Sequence, residues 1–129
     1  ETSQRVRKAE PKCQISAAVF KDYPNCITGV AQDWRLWAEK GYLDFICPMN
    51  YTASNTQFRE YTRGQLGYLS GSVPCYPGIG LLGGQGPVGA LQQIEISREL
   101  RTGGFVVWSA YAKYMNEVFP YLAVGKKRP

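Results

Sequence analysis

The sequence predicts an α/β protein made of repeated strand–helix units. Four short apolar stretches have strand character, each is followed by a loop and a helical pattern, and their spacing is regular. Taking the strand starts at 15, 43, 73 and 104 gives intervals of 28, 30 and 31 residues. This period is typical of a βα unit with a right-handed crossover.

The four strand candidates are apolar on both faces, as strands covered on both sides are. They are QISAAVF (14–20), LDFICPMNY (43–51), VPCYPGIG (73–80) and GFVVWSAY (104–111). After the first of them, Asp33 is a plausible N-cap for a helix that ends at Gly41. After the third, Pro87 suits the first turn of a helix and Gly103 closes it. A looser helical pattern follows the second strand. After the fourth, the apolar residues have the i, i+3, i+4, i+7 spacing of a helix that Pro120 ends: Tyr111, Tyr114, Met115 and Val118.

Four βα units in line fit either a small doubly wound sheet or half of an eight-unit barrel. A full barrel takes about 250 residues, so half of one is close to the 129 residues here. The chain does not begin with Met, and we expect it to be a piece of a longer polypeptide. We therefore expect one block forming half of a TIM (β/α)8 barrel, with a helix end or tail at 1–12, four βα units over 13–122 and a basic tail at 123–129.

The composition excludes several classes of function. The sequence contains no His, which removes Ser-His and Cys-His nucleophile pairs within the chain. Its four Cys lack the C-x-x-C spacing of zinc sites, so we expect no metal and no cofactor. The net charge of +5 comes largely from both chain ends, which does not indicate a nucleic-acid surface. No apolar stretch approaches the length of a membrane span.

Two short motifs have better structural explanations than functional ones. The stretch GIGLLG (78–83) matches G-x-G-x-x-G, but GGQGP follows at once and delays the helix, and no carboxylate ends the next strand. We interpret it as a loop and reject a nucleotide-binding domain. The sequon NYT (50–52) is short enough to arise by chance, and a glycan would be out of place at a strand end facing a cleft.

The residues at the carboxyl ends of the strands are aromatic and polar, with few charges. In α/β folds this is the edge at which ligands bind. Sugars suit such a surface, because their C–H faces lie on aromatic rings and their hydroxyls bond to amides and phenols. Ordinary packing explains the same composition. The collected residues are Phe20, Lys21, Asp22, Met49, Asn50, Tyr51, Tyr76, Gly78, Gly80, Trp108, Ser109 and Tyr111.

One long segment, VAQDWRLWAEKGYLDFICPMNYT, resembles the glycosyl hydrolase-like family 10. The family pattern Q-D-W…W…G-x-x-D-F-[apolar]-x-P-M-x-Y is matched by Gln32, Asp33, Trp34, Trp37, Gly41, Asp44, Phe45, Pro48, Met49 and Tyr51. YPGIGLL and GGFVVWSAY are similar to the family's next and last strands. The resemblance spans about residues 15–111 and implies a TIM-type barrel with these stretches as its fifth to eighth strands. It also suggests a cell-envelope or extracellular location.

A looser similarity to chitinase-type barrels implies roles for individual residues. By that analogy, Met49 and Tyr51 point into the barrel, Tyr51 hydrogen-bonds substrate at its reacting carbon, and a sugar ring stacks on Trp108. The catalytic candidates are Tyr51, for substrate positioning, and Asp33, which is first a helix cap. The substrate-binding candidates are Met49, Asn50, Trp108, Tyr76, Tyr111 and Trp34.

Glycoside hydrolysis usually needs two carboxyl groups, and this chain places few where they would serve. Asp44 lies at the entry end of its strand, and most Glu residues fall on helices. We therefore expect a glycoside hydrolase whose general acid lies upstream, with this chain supplying the substrate-binding half and inactive alone. The alternative is a non-catalytic carbohydrate-binding or scaffold domain. Open strand edges also predict either self-association or pairing with the N-terminal half of the barrel.

Overall fold

The computed structural model describes residues 1–81, 86–109 and 111–121, and within them the chain forms six helices and four short strands. The helices are α1 (Thr2–Ala9), α2 (Asn25–Val30), α3 (Trp34–Glu39), α4 (Asn55–Leu69), α5 (Gly86–Glu99) and α6 (Ala112–Glu117). The strands are β1 (Ser16–Val19), β2 (Phe45–Pro48), β3 (Gly78–Gly80) and β4 (Val106–Trp108). The expected basic tail at 123–129 and the end of the 78–83 motif lie outside the described residues.

The strands pair in parallel, as two separate two-stranded sheets. β1 pairs with β2 from Ser16–Phe45 to Val19–Pro48. β3 pairs with β4 from Gly78–Val106 to Gly80–Trp108. A single parallel bridge between Ile46 and Cys75 connects the first sheet to the chain ahead of β3.

The prediction of four βα units forming half of a TIM barrel is therefore wrong. The four strands do not form one continuous sheet, and two helices, α2 and α3, separate β1 from β2. The proline content of the third stretch gives a physical reason. Pro74 and Pro77 have no N–H to donate to a ladder, and the strand begins only at Gly78.

Side-chain caps set the starts of two helices. The Asp33 carboxylate accepts a hydrogen bond from the Leu36 N–H at 3.1 Å, which confirms the N-cap predicted for α3. The Ser54 hydroxyl accepts from the Gln57 N–H at 3.3 Å at the start of α4. Gly41 follows α3 with a φ of 67°, in the left-handed region that glycine adopts without strain.

The helices cover one face of the sheets and enclose two apolar clusters. The first joins β1, β2 and α3 through Val19, Cys26, Trp34, Ala38, Ile46, Leu69 and Cys75. The second joins β3, α4 and α5 through Phe58, Ile79, Leu81, Ala90, Ile94, Ile96 and Val118. The opposite face of the sheets stays accessible, and the candidate site lies there.

Candidate sugar-binding surface

An exposed patch lies on the face of β3 and β4 away from the helices, and we call it the aromatic face. It consists of the exposed side chains of Tyr51, Val106 and Trp108 together with Gly78 and Gly80, which are buried beneath Tyr51. Trp108 is 51% exposed and Tyr51 is 39% exposed, although both are large apolar side chains. Ile79, between the two glycines, is fully buried on the helix side. Strand alternation therefore separates a covered face from an open one.

Tyr51 packs directly on the two glycines of β3. A Cβ atom placed on Gly80 would lie 2.9 Å from the Tyr51 Cβ and 3.0 Å from its Cγ and Cδ1. At Gly78 the same atom would lie 3.0 Å from the Tyr51 Cε1 and 2.8 Å from the Pro48 carbonyl oxygen. Gly80 is therefore required by the position of Tyr51, and Gly78 is required first by the Pro48 carbonyl group and then by the Tyr51 ring, which extends along β3.

The strand register places Trp108 on the same face as Tyr51. Gly80 pairs with Trp108 and Gly78 pairs with Val106. Paired residues of neighbouring parallel strands direct their side chains to the same side, and the strands lie about 4.8 Å apart. The Tyr51 ring on β3 and the Trp108 ring on β4 therefore belong to one continuous surface.

The Tyr51 phenol is protonated at neutral pH. Partial burial raises its pKa above the ordinary value, and the nearby Cys47 thiol raises it further. Burial also raises the pKa of Cys47 itself. The surface therefore presents an uncharged hydroxyl that both donates and accepts hydrogen bonds.

The loop after Tyr51 is held by a buried glutamine that sequence reasoning missed. The Gln93 Nε2 group on α5 donates to the Thr52 carbonyl oxygen at 2.8 Å, and Gln93 is fully buried. The Thr52 hydroxyl donates to the Gln57 Oε1 at 2.8 Å and accepts from the Ser54 N–H at 3.1 Å. The sequence carries no local signal for this role, because Gln93 lies beside Gln92 and close to Glu95 in a mixed stretch of α5.

Asn50 does not reach the aromatic face. Its side chain is fully buried and pairs with Gln65 of α4: the Gln65 Nε2 donates to the Asn50 Oδ1 at 2.7 Å, and the Asn50 Nδ2 donates to the Gln65 Oε1 at 2.9 Å. The same Nδ2 donates to the Thr62 hydroxyl at 3.2 Å. These bonds occupy the amide inside the protein, so Asn50 is a structural residue here.

Trp34 and Asp33 also have structural roles, in the part of the protein built around β1 and α3. Trp34 is fully buried, and its Nε1 donates to the Phe20 carbonyl oxygen at 3.1 Å. The Asp33 Oδ1 accepts from the Tyr23 hydroxyl at 3.2 Å in addition to capping α3. Burial and this hydrogen bond raise the pKa of Tyr23. Neither Trp34 nor Asp33 lies on the aromatic face.

Of the remaining predicted residues, Met49 and Tyr76 share the uncovered face by strand alternation, and Tyr111 lies after β4. Met49 is half-buried and shares the side of Tyr51 by alternation. Tyr76 shares the side of Gly78 and packs on Phe45 with ring centroids 5.1 Å apart. Tyr111 is highly exposed and immediately precedes α6. The uncovered surface therefore extends from Trp108 through Tyr51 towards Tyr76.

Several carboxylates of the described residues have structural partners away from this face. The Asp44 carboxylate, before β2, accepts from the Ile15 N–H at 2.6 Å and pairs with Arg7 at 3.0 Å. Helical glutamates form ion pairs at the surface: Arg35–Glu39, Arg59–Glu99 and Arg98–Glu95. Within the described residues, no group of three His, Cys, Asp or Glu side chains is placed to hold a metal ion.

Comparisons of the chain with protein-family models, with curated proteins and with solved structures find no match. The family resemblance therefore rests on the sequence pattern alone. In the part of the chain that the structure describes, every helix is too short or too polar to cross a membrane.

Proposed function

We propose that this chain supplies a sugar-binding surface to a glycoside hydrolase-like protein. The observation that carries the proposal is the contact of Tyr51 with Gly78 and Gly80 beside the exposed Trp108. Because both residues are glycines, the Tyr51 ring can lie directly on the backbone of β3. The pairing of Gly80 with Trp108 places the indole on the neighbouring strand, on the same face. The ligand class follows from this combination of apolar rings and an uncharged hydroxyl.

Trp108 and Tyr51 would contribute different interactions to sugar binding. The exposed indole of Trp108 offers a broad apolar plane for the C–H face of a sugar ring. The Tyr51 hydroxyl, which is protonated at neutral pH and whose pKa burial raises further, hydrogen-bonds to sugar hydroxyls. Because Tyr51 is fixed against the backbone of β3, little side-chain entropy is lost when a ligand binds.

The role proposed for the aromatic face is binding and not bond cleavage. Its five defining residues include no carboxyl group, whereas glycosidic bond hydrolysis usually uses two. Asp33 caps a helix, and Asp44 accepts a hydrogen bond from the Ile15 N–H and forms an ion pair with Arg7. Both carboxylates therefore have structural roles. In the hydrolase we propose, the general acid comes from outside this surface.

Calorimetric titration of the chain with neutral oligosaccharides of the cellulose, xylan and chitin types tests the proposal. We expect one series to bind, and Trp108→Ala to weaken that binding at least about tenfold, since a stacked aromatic side chain of this size contributes on the order of 1.4 kcal/mol or more. Tyr121→Ala is the matched control, because Tyr121 is a similarly exposed aromatic residue that follows α6 and is not one of the residues of the aromatic face.

Two outcomes would count against the proposal: no heat of binding with any of the three series, or equal affinity in the parent and Trp108→Ala.

A second candidate, a non-catalytic carbohydrate-binding domain, is favoured by the lack of a carboxyl group among the residues that define the aromatic face. Assaying the whole hydrolase to which this chain would contribute for release of reducing sugar separates the two, since only a hydrolase that includes the general acid shortens the bound oligosaccharide.

A further inference from the structure

Strand β1 has one side that no other strand of the described residues covers. Its partner is β2. On that side the Asp44 N–H donates to the Ile15 carbonyl oxygen at 2.7 Å, and the Met49 N–H donates to the Val19 carbonyl oxygen at 2.8 Å. Backbone groups alternate in direction along a strand. The N–H and C=O groups of Ser16 and Ala18 are therefore directed away from β2, along the open edge.

The open edge ends sharply at Phe20. There the backbone groups point to the same side, but both have side-chain partners: the Phe20 N–H donates to the Gln32 Oε1 at 2.8 Å, and the Phe20 carbonyl oxygen accepts from the Trp34 Nε1 at 3.1 Å. The side chains of Gln32 and Trp34 thus terminate the ladder. Ser16 and Ala18 are the two residues of β1 whose edge groups are available for pairing.

The edge also lacks the usual features that prevent pairing. Natural edge strands carry charged side chains, prolines or bulges, and the segment 14–20 has no charged residue and no proline. Ser16 and Ala18 are exposed and small, so neither side chain obstructs the approach of another backbone.

We propose that two copies of this chain pair through their β1 edges, antiparallel and across a twofold axis at Ala17. In this arrangement Ser16 of each copy faces Ala18 of the other, and each such pair exchanges both of its backbone hydrogen bonds. The capped Phe20 limits the ladder to these residues, and the twofold symmetry closes the association at the dimer. This inference is independent of the sugar-binding proposal.

The charges at the two ends of β1 support a second copy as the occupant. Antiparallel pairing brings the start of the strand in one copy beside its end in the other. Lys12 precedes β1 and the exposed Asp22 follows it, so each Lys12 would approach Asp22 of the second copy. The neighbouring Lys21 contacts a different group, since its Nζ lies 5.4 Å from the centroid of the Tyr61 ring in the same copy.

Light scattering after size exclusion, from low micromolar to millimolar concentration, tests the proposal. We expect the parent mass to rise from 14.4 kDa to twice that value and to stop there. Ala18→Pro removes the edge N–H of each copy and should raise the dimer dissociation constant at least about tenfold. Ala18→Val, which keeps the N–H, should dimerise like the parent.

Hydrogen exchange provides a second measurement that locates the contact. The amides of Ser16 and Ala18 should exchange more slowly at concentrations that favour the dimer, while the amides within α4 stay unchanged. If circular dichroism shows that Ala18→Pro does not fold, Ala18→Lys replaces it, since paired lysines beside the axis repel each other and should weaken the dimer.

The proposal is overturned if the parent stays monomeric throughout, if it forms larger assemblies without a plateau at the dimer, or if the edge variants dimerise as tightly as the parent. Slowed exchange at another segment with none at Ser16 and Ala18 would likewise reject β1 as the interface.

Discussion

Tyr51 and Gly80 are in such close contact that the glycine position has no room for a methyl group. The nearest tyrosine atom would lie 2.9 Å from a Cβ at residue 80, closer than real Cβ contacts in proteins. We expect Gly80→Ala to displace the Tyr51 ring and to lower the free energy of unfolding by about 1–3 kcal/mol, the usual cost of overpacking. Urea unfolding measures this loss.

Gly64→Ala is the control for that substitution. Gly64 lies within α4, and a Cβ there would meet no atom within 4 Å. Because alanine is favoured over glycine in a helix by roughly 0.5–1 kcal/mol, Gly64→Ala should stabilise the protein. Equal effects of the two substitutions would contradict the contact between Tyr51 and β3.

The buried amide pair of Asn50 and Gln65 should be energetically coupled. Removing either side chain leaves the carboxamide oxygen of the other without the donor it has in this pair, so Asn50→Ala and Gln65→Ala should each lower the free energy of unfolding by about 1–3 kcal/mol. The double variant should lose less than the sum of the two, by roughly 0.5–3 kcal/mol. Additive losses in urea unfolding would show that the pair does not act as a unit.

Asp44 should make the protein sensitive to acid. The Ile15 N–H, and secondly the Arg7 guanidinium, hold the pKa of Asp44 below its usual range. A carboxyl group with a lowered pKa in the folded state contributes stability that is complete above its unfolded pKa, near 3.9, and is lost as the pH falls through the folded value. Asp44→Asn should therefore flatten the fall in the urea midpoint between about pH 5 and pH 2.

Arg7→Met separates the two causes of that shift. The Ile15 N–H is the larger cause and remains in this variant. Most of the pH dependence should therefore persist in Arg7→Met and disappear in Asp44→Asn. The reverse order would make the ion pair, and not the backbone hydrogen bond, the main source of the effect.

The four free thiols should differ widely in reactivity. Burial, aided by the neighbouring Cys47 thiol, raises the pKa of Cys75 to about 12, and Cys75 is 1% exposed. Because the thiolate is the reacting species, Cys75 should be alkylated only after unfolding, whereas the exposed Cys13 should react in the native protein. Mass spectrometry after timed alkylation distinguishes them, and fast native labelling of Cys75 would contradict its burial.

Local chemistry predicted some elements of this structure well. The cap at Asp33, the glycine after α3 and the strand character of residues 45–48 all follow from short-range rules. The third strand was predicted to be too long. Residues 73–80 are largely apolar, but Pro74 and Pro77 restrict the strand to Gly78–Gly80. The separate helix α2 was missed, since six residues are too few to show a helical period.

Contacts between distant residues account for the site residues that were misplaced. Asn50 was predicted to bind substrate, but its amide pairs with Gln65, fifteen positions later. Gln93, which fixes the backbone at Thr52 from forty-one positions away, has no local pattern that marks it. Only the packing of α4 and α5 on the strands brings these groups together.

The alternation at Met49, Asn50 and Tyr51 makes this segment intolerant of changes in length. Deleting or inserting one residue between Phe45 and Asn50 would turn the carboxamide outward and force the phenol into the interior, because strand side chains repeat every second residue. Natural variation in chain length should therefore concentrate in exposed turns such as 70–72, and not ahead of Tyr51.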